Sequence, residues 1–127
     1  MNAVLAVFFG GGLGSLARYG IGVLLSRLQL ISFPWATLIS NTASSFIIGI
    51  LIGAQLAGKD SSNSVWKNFL AIGFCGGFST FSAFSMETVE LAKSGFIQQA
   101  LMNGAANVSL SIFATLLGIW IGRQLVS

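Results

Sequence analysis

Gly76-Gly77-Phe78-Ser79-Thr80-Phe81-Ser82-Ala83-Phe84-Ser85-Met86-Glu87 lies inside an apolar stretch long enough to cross a bilayer. Two adjacent glycines, four hydroxyl side chains, phenylalanines at every third position and one acid do not belong in a plain membrane anchor. In lipid, an unsatisfied polar group costs several kcal/mol, so irregular polar sequence survives at depth only where it lines a cavity or a protein interior. The segment therefore predicts both a membrane fold and the location of its function.

Outward from this segment, the rest of the chain agrees. Of its 127 residues, 54% are hydrophobic and only 7% charged, with a mean hydropathy of +0.86, which excludes an ordinary soluble domain. Four apolar runs can be drawn, at about Ala3–Leu25, Pro34–Leu56, Trp66–Ala92 and Ala100–Ile121. Each meets the roughly 20 residues a spanning helix needs. The expected fold is all-α, a single integral membrane domain over residues 1–127 with four transmembrane helices. Pro34 fits the first turn of the second span, and Trp35, Trp66 and Trp120 suit the headgroup level.

The third run is long for a straight crossing. Gly73, Gly76 and Gly77 followed by Ser79-Thr80 predict a break near mid-membrane, which would free backbone carbonyls and N–H groups there. The N-terminus carries no Lys or Arg before its apolar run and does not read as a secretory signal.

Lys59, Lys67 and Arg123 fall on one side of the expected topology, with Arg27 and Lys93, and Arg18 if it snorkels outward, on the other. Orientation follows the Lys and Arg excess in short loops, and here there is scarcely any. The expectation is insertion in both directions and an antiparallel pairing of the chain with itself. Gly10/Gly14, Gly49/Gly53, Gly73/Gly77 and Gly118/Gly122 each read Gly-x-x-x-Gly, which serves either packing within one subunit or a dimer seam.

What the chain lacks narrows its chemistry. There is no histidine and one cysteine, Cys75, so no disulfide within the chain, no zinc cluster and no near-neutral proton shuttle. The basic residues are scattered singly, which argues against nucleic acid as a partner. Catalysis has almost no residues to work with; a conduit has many. Thr37, Asn41 and Ser45 share one face of the second span. Most hydroxyls of that span are expected to bond their own i−4 carbonyls. Asn41 cannot be satisfied that way, and either ties helices together or offers N–H donors to a pore.

In the last span Asn103, Asn107, Ser111 and Thr115 recur every four residues, a polar stripe about 18 Å long that predicts a wet path. Phe81 and Phe84 share a face, flanked by Ser82 and Ser85, and phenyl rims are electropositive enough to face an anion. Glu87 repels anions unless protonated or turned away, leaving it as donor, gate or structural acceptor. Arg18 is either an interfacial anchor or a charge facing an aqueous vestibule.

The motif Gly76-Gly77-Phe78-Ser79-Thr80-Phe81-Ser82-Ala83-Phe84-Ser85-x-Glu87, with Gly14-x-x-x-Arg18-Tyr19, Trp35-x-Thr37-x-x-x-Asn41 and the last stripe, resembles the CrcB/Fluc family of fluoride channels over essentially the whole chain. The resemblance implies a multi-pass protein of the bacterial inner membrane, an antiparallel dual-topology homodimer in membrane lipid. Its two pores would export cytoplasmic fluoride ion passively. By it, Asn41, Phe81, Phe84, Ser82, Glu87, Asn103, Asn107, Ser111 and Thr115 line the fluoride path and Arg18 the vestibule. Backbone carbonyls of Gly76 and Ser79 from both subunits would hold a structural Na+. Asn103 and Asn107 stand where relatives can have Tyr and Ser. The competing expectation is a proton-coupled exporter like the small multidrug-resistance proteins; those carry an acid in the first helix, where this chain has Arg18.

Overall fold

The structure, a computed structural model, describes residues 2–30, 32–58 and 64–127. Positions 59–63 of the expected polar turn, Lys59 among them, lie outside the described residues. All described elements are helical, and four of the helical units are long and apolar enough to cross a membrane. Helix α1 is Ala3–Arg27, capped by Asn2, whose side chain accepts from Leu5 N–H. Helix α2 is Trp35–Leu56, with Pro34 at the cap position just before its first turn, one place earlier than expected.

The third span, Val65–Lys93, changes character along its length. It comprises α3 (Ser64–Lys67), a π-helical segment (Asn68–Phe74), α4 (Cys75–Phe78) and α5 (Phe81–Lys93). Ser79 (φ −81°, ψ 157°) and Thr80 (φ −156°, ψ 117°) form an extended joint between α4 and α5. The last helix, α6, runs Ile97–Val126. It extends beyond the expected apolar run at both ends because Gln98, Gln99, Arg123 and Gln124 continue the helix as polar residues. The α5–α6 turn closes with Gly95 at φ 87°, where Phe96 N–H reaches Leu91 O, a termination that a side chain at that position would strain.

Two glycine seams hold the spans together. On one, a Cβ at Gly10 would strike the Phe69 carbonyl, at Gly14 the Phe74 carbonyl and at Gly77 the Gly11 carbonyl. On the other, a Cβ at Gly49 would strike the Thr115 carbonyl, at Gly53 and Gly122 the Ile119 and Ile50 carbonyls. All four Gly-x-x-x-Gly pairs are thus consumed within the subunit, α1 against the third span and α2 against α6. Backbones touching at this distance gain dispersion contacts that lipid cannot match. The outward faces carry Phe8, Phe9, Leu16, Trp66, Phe113 and Trp120, all exposed, as a bilayer-facing surface requires.

A polar groove at the joint of the third span

The joint leaves the Thr80 N–H without a helical acceptor, and α2 supplies one. Asn41 Oδ1 accepts the Thr80 N–H at 2.7 Å, and Asn41 Nδ2 donates to the Thr80 carbonyl at 3.4 Å. Thr80 caps α5 in turn, its hydroxyl accepting the Ala83 N–H at 3.2 Å. On the other side of the joint, Arg18 Nε donates to the Gly77 carbonyl at 3.2 Å. A cation thus meets the electronegative end of one helical run, and an amide oxygen meets the first free N–H before the next.

A groove of about 260 Å³ opens at this joint, lined by Asn41, Ser45, Ser79, Thr80, Phe81, Phe84, Asn107, Val108 and Ser111. The Phe81 and Phe84 rings lie 5.6 Å apart and tilted by 48°, and Phe81 is 79% exposed. Of the expected site residues, Asn41, Phe81, Phe84, Asn107, Ser111 and Ser79 meet here.

The others stand elsewhere. Asn103 lies wholly inside the subunit and is 0% exposed, behind Asn107, which is 6% exposed. Thr115 donates to the carbonyls of Ser111 and Ser45 and does not line the groove. Ser82 is exposed and shares a hydrogen bond with the Thr80 hydroxyl.

The stripe of α6 is largely occupied with itself. Asn41 Nδ2 donates to Asn107 Oδ1 at 3.0 Å, and Asn107 Nδ2 to both oxygens of Asn103 at 2.9 Å. The hydroxyls of Ser45 and Ser111, both lining the groove, make no such commitment among the described residues, which leaves them as donors to it. Ser45 is the residue that the sequence reading put on the Asn41 face without giving it a role. The spacing of four from Asn41 was the signal.

Arg18 and Glu87 line a separate cavity of about 550 Å³ with Tyr19, Thr37 and Ala83. Glu87 accepts the Thr37 hydroxyl at 2.8 Å on Oε1, while its Oε2 is buried without a partner among the described residues. Glu87 and Glu90 also border a cavity of about 500 Å³ beside Phe33, Ser94 and Gln99. The expectation of i−4 back-bonding in α2 fails: the Thr37 hydroxyl goes to Glu87, and those of Ser40, Thr42 and Ser44 find no partner among the described residues. Ser40 and Ser44 are 0% and 1% exposed. Back-bonding holds instead at Ser79, Thr88, Ser109 and Thr115.

The joint also suits a hard monovalent cation. The N–H that would close a helical turn onto the Gly76 carbonyl, that of Thr80, is turned to Asn41. Nothing stands within 4 Å of where a Gly76 Cβ would be, so that face is open. Uncharged carbonyl oxygens are the donor type such an ion takes.

Comparison with known proteins gives the same family. Residues 5–119 match the family described as CrcB-like protein, Camphor Resistance (CrcB). A Pyrococcus abyssi protein named fluoride-specific ion channel FluC is 44% identical over 124 residues, 98% of each chain. Proteins of the same name from Coxiella burnetii and Thermus thermophilus are 42% and 40% identical, over 96% and 99% of this chain and 98% and 99% of their own. With four membrane-length helices and matches that run nearly end to end, the chain belongs to the CrcB family of multi-pass membrane proteins.

Proposed function

We propose that the protein is a fluoride channel of the inner membrane that lets cytoplasmic fluoride leave passively. The observation that carries this reading is the groove at the joint, which two phenyl rings line together with Ser45 and Ser111, whose hydroxyls have no hydrogen-bond partner among the described residues. A small anion gives up a tightly held water shell only to donors that replace it. Hydroxyl groups and electropositive ring edges do so without fixing the ion too firmly to leave. Arg18 raises the local anion concentration in its cavity. Glu87, drawn aside by Thr37, is kept out of the groove.

The functional unit in this reading is an antiparallel homodimer with two pores. The near balance of basic residues supports insertion both ways, and exposed Phe81 and open Gly76 offer surface for a second copy. The joint acts as a mid-membrane break, with the Gly76 and Ser79 carbonyls of both copies holding a structural Na+. Such an ion supplies a fixed positive charge between the copies.

The test is fluoride release from liposomes, read with a fluoride electrode. Wild type is expected to release fluoride rapidly without a proton gradient. Phe81→Ile, which removes a ring edge, is expected to slow release by at least about a hundredfold, as loss of a preorganised electrostatic contact does. Fluoride retained by wild-type vesicles as firmly as by empty ones would refute the channel, and proton-coupled cation exchange would favour the exporter.

A further inference from the structure

Thr88 lies on α5, outside the groove, and belongs to no motif that the sequence picked out. Its hydroxyl donates to the Phe84 carbonyl at 2.7 Å and accepts from Asn103 Nδ2 at 2.9 Å. From Asn103 a run of amides leads to the joint: Asn107 Nδ2 donates to Asn103 Oδ1, Asn41 Nδ2 donates to Asn107 Oδ1, and Asn41 Oδ1 accepts the Thr80 N–H.

Both ends of this run are backbone groups of fixed polarity. The Phe84 carbonyl can only accept and the Thr80 N–H can only donate. Between them each amide has one workable orientation. Exchanging the oxygen and nitrogen of any one, ordinarily a free choice at an exposed asparagine, sets donor against donor or acceptor against acceptor. Because Thr88 donates its proton to Phe84, it has a lone pair to offer Asn103. That lone pair matches the nitrogen of Asn103 and turns its oxygen to Asn107, whose nitrogen the Asn103 backbone carbonyl also holds.

We propose that Thr88 is a positioning residue for the groove. It secures Asn103, the far end of the amide run that leads through Asn107 and Asn41 to Thr80, and with its proton it holds the backbone of Phe84. It thereby sets both the start of α5, with Phe81, and the ring one turn further on. Asn103 is wholly buried, so without the Thr88 hydroxyl its nitrogen has no acceptor among the described residues. Turning the amide over sets it against Asn107. Either outcome disturbs the whole run, since hydrogen bonds in a chain polarise one another.

The proposal rests on the channel reading for its transport readout but not for its second one. Full-length protein in liposomes is compared as wild type, Thr88→Val and Thr88→Ser, by fluoride release and by side-chain amide nitrogen resonances of the asparagines. Thr88→Val keeps the shape and removes both bonds. It is expected to slow release about tenfold and to displace the Asn41, Asn103 and Asn107 resonances together, as expected when a buried donor loses its acceptor. Thr88→Ser keeps the hydroxyl and is expected to leave both readouts near wild type.

An unmoved Asn41 resonance in Thr88→Val, or a Thr88→Ser variant displaced like the valine one, would overturn the proposal. Should Thr88→Val fail to assemble, Thr88→Cys takes its place, a thiol being a weak partner at similar volume, with the same displacement expected and its absence decisive. If wild type releases no fluoride, the channel reading falls, and the resonances still decide what Thr88 does.

Discussion

The two glycine seams begin from the same device and end differently. Between α2 and α6 the contact of Gly49 and Gly53 with Gly118 and Gly122 joins two uninterrupted α-helices. Between α1 and the third span, Gly10 and Gly14 meet a helix that passes through seven π-helical residues and then an extended joint. The regular seam needs only close backbones. The irregular one frees backbone groups, and side chains from both neighbouring helices take them: Arg18 for Gly77 O, Asn41 for Thr80 N–H. A membrane helix can be interrupted where its neighbours replace the missing hydrogen bonds, and that is also where a polar groove can form.

This contrast can be broken in order of expected effect. Gly14→Val and Gly49→Val each drive a side chain into a carbonyl, of Phe74 and Thr115, whereas Gly12 has open space around it. Both seam variants are expected to abolish the monodisperse species seen by size-exclusion chromatography in detergent, and Gly12→Val to preserve it. Equal behaviour of Gly12→Val and Gly14→Val would dissolve the seam as a distinct feature.

Asn41→Leu strands the Thr80 N–H and the Asn107 amide together. It is expected to destabilise the protein by about 3 kcal/mol in chemical unfolding, the sum of two lost part-buried bonds. A loss below about 1 kcal/mol, the value of a single exposed hydrogen bond, would mean that Asn41 does not hold the joint.

Arg18→Leu removes one charged donor from one carbonyl. A smaller loss of about 1–2 kcal/mol is expected, with Arg18→Lys in between because an ammonium lacks the planar Nε–H that reaches Gly77. Ser109→Ala, which deletes a bond to the residue's own helix at an exposed position, sharpens the comparison from below. Unfolding should stay within about 0.5 kcal/mol of wild type.

The spans and their tryptophan margins could be read directly, since apolar length and headgroup preference are local properties of the chain. The joint could be placed as well: glycines beside Ser79-Thr80 are poor helix residues wherever they stand. Asn41 stood out because an amide in lipid must be answered. Its partner in the backbone of Thr80 could not be read, nor could the π-helical segment, whose residues Asn68–Phe74 are unremarkable as a string. The stripe of Asn103, Asn107, Ser111 and Thr115 was visible as a period. Which members face the groove was not, because period fixes a common face and leaves open what that face meets.

By itself the sequence determined a four-span membrane protein, an irregularity near Ser79 and a store of neutral hydrogen-bonding side chains, all of which follow from composition and spacing along one chain. Only the tertiary structure decided that the four glycine pairs are spent within the subunit, that the amides of α2 and α6 answer one another, and that the hydroxyls of Ser45 and Ser111 are left for the groove. Those outcomes depend on how each helix is rotated about its axis. That rotation is set by where the backbones can touch most closely, which no single span encodes alone.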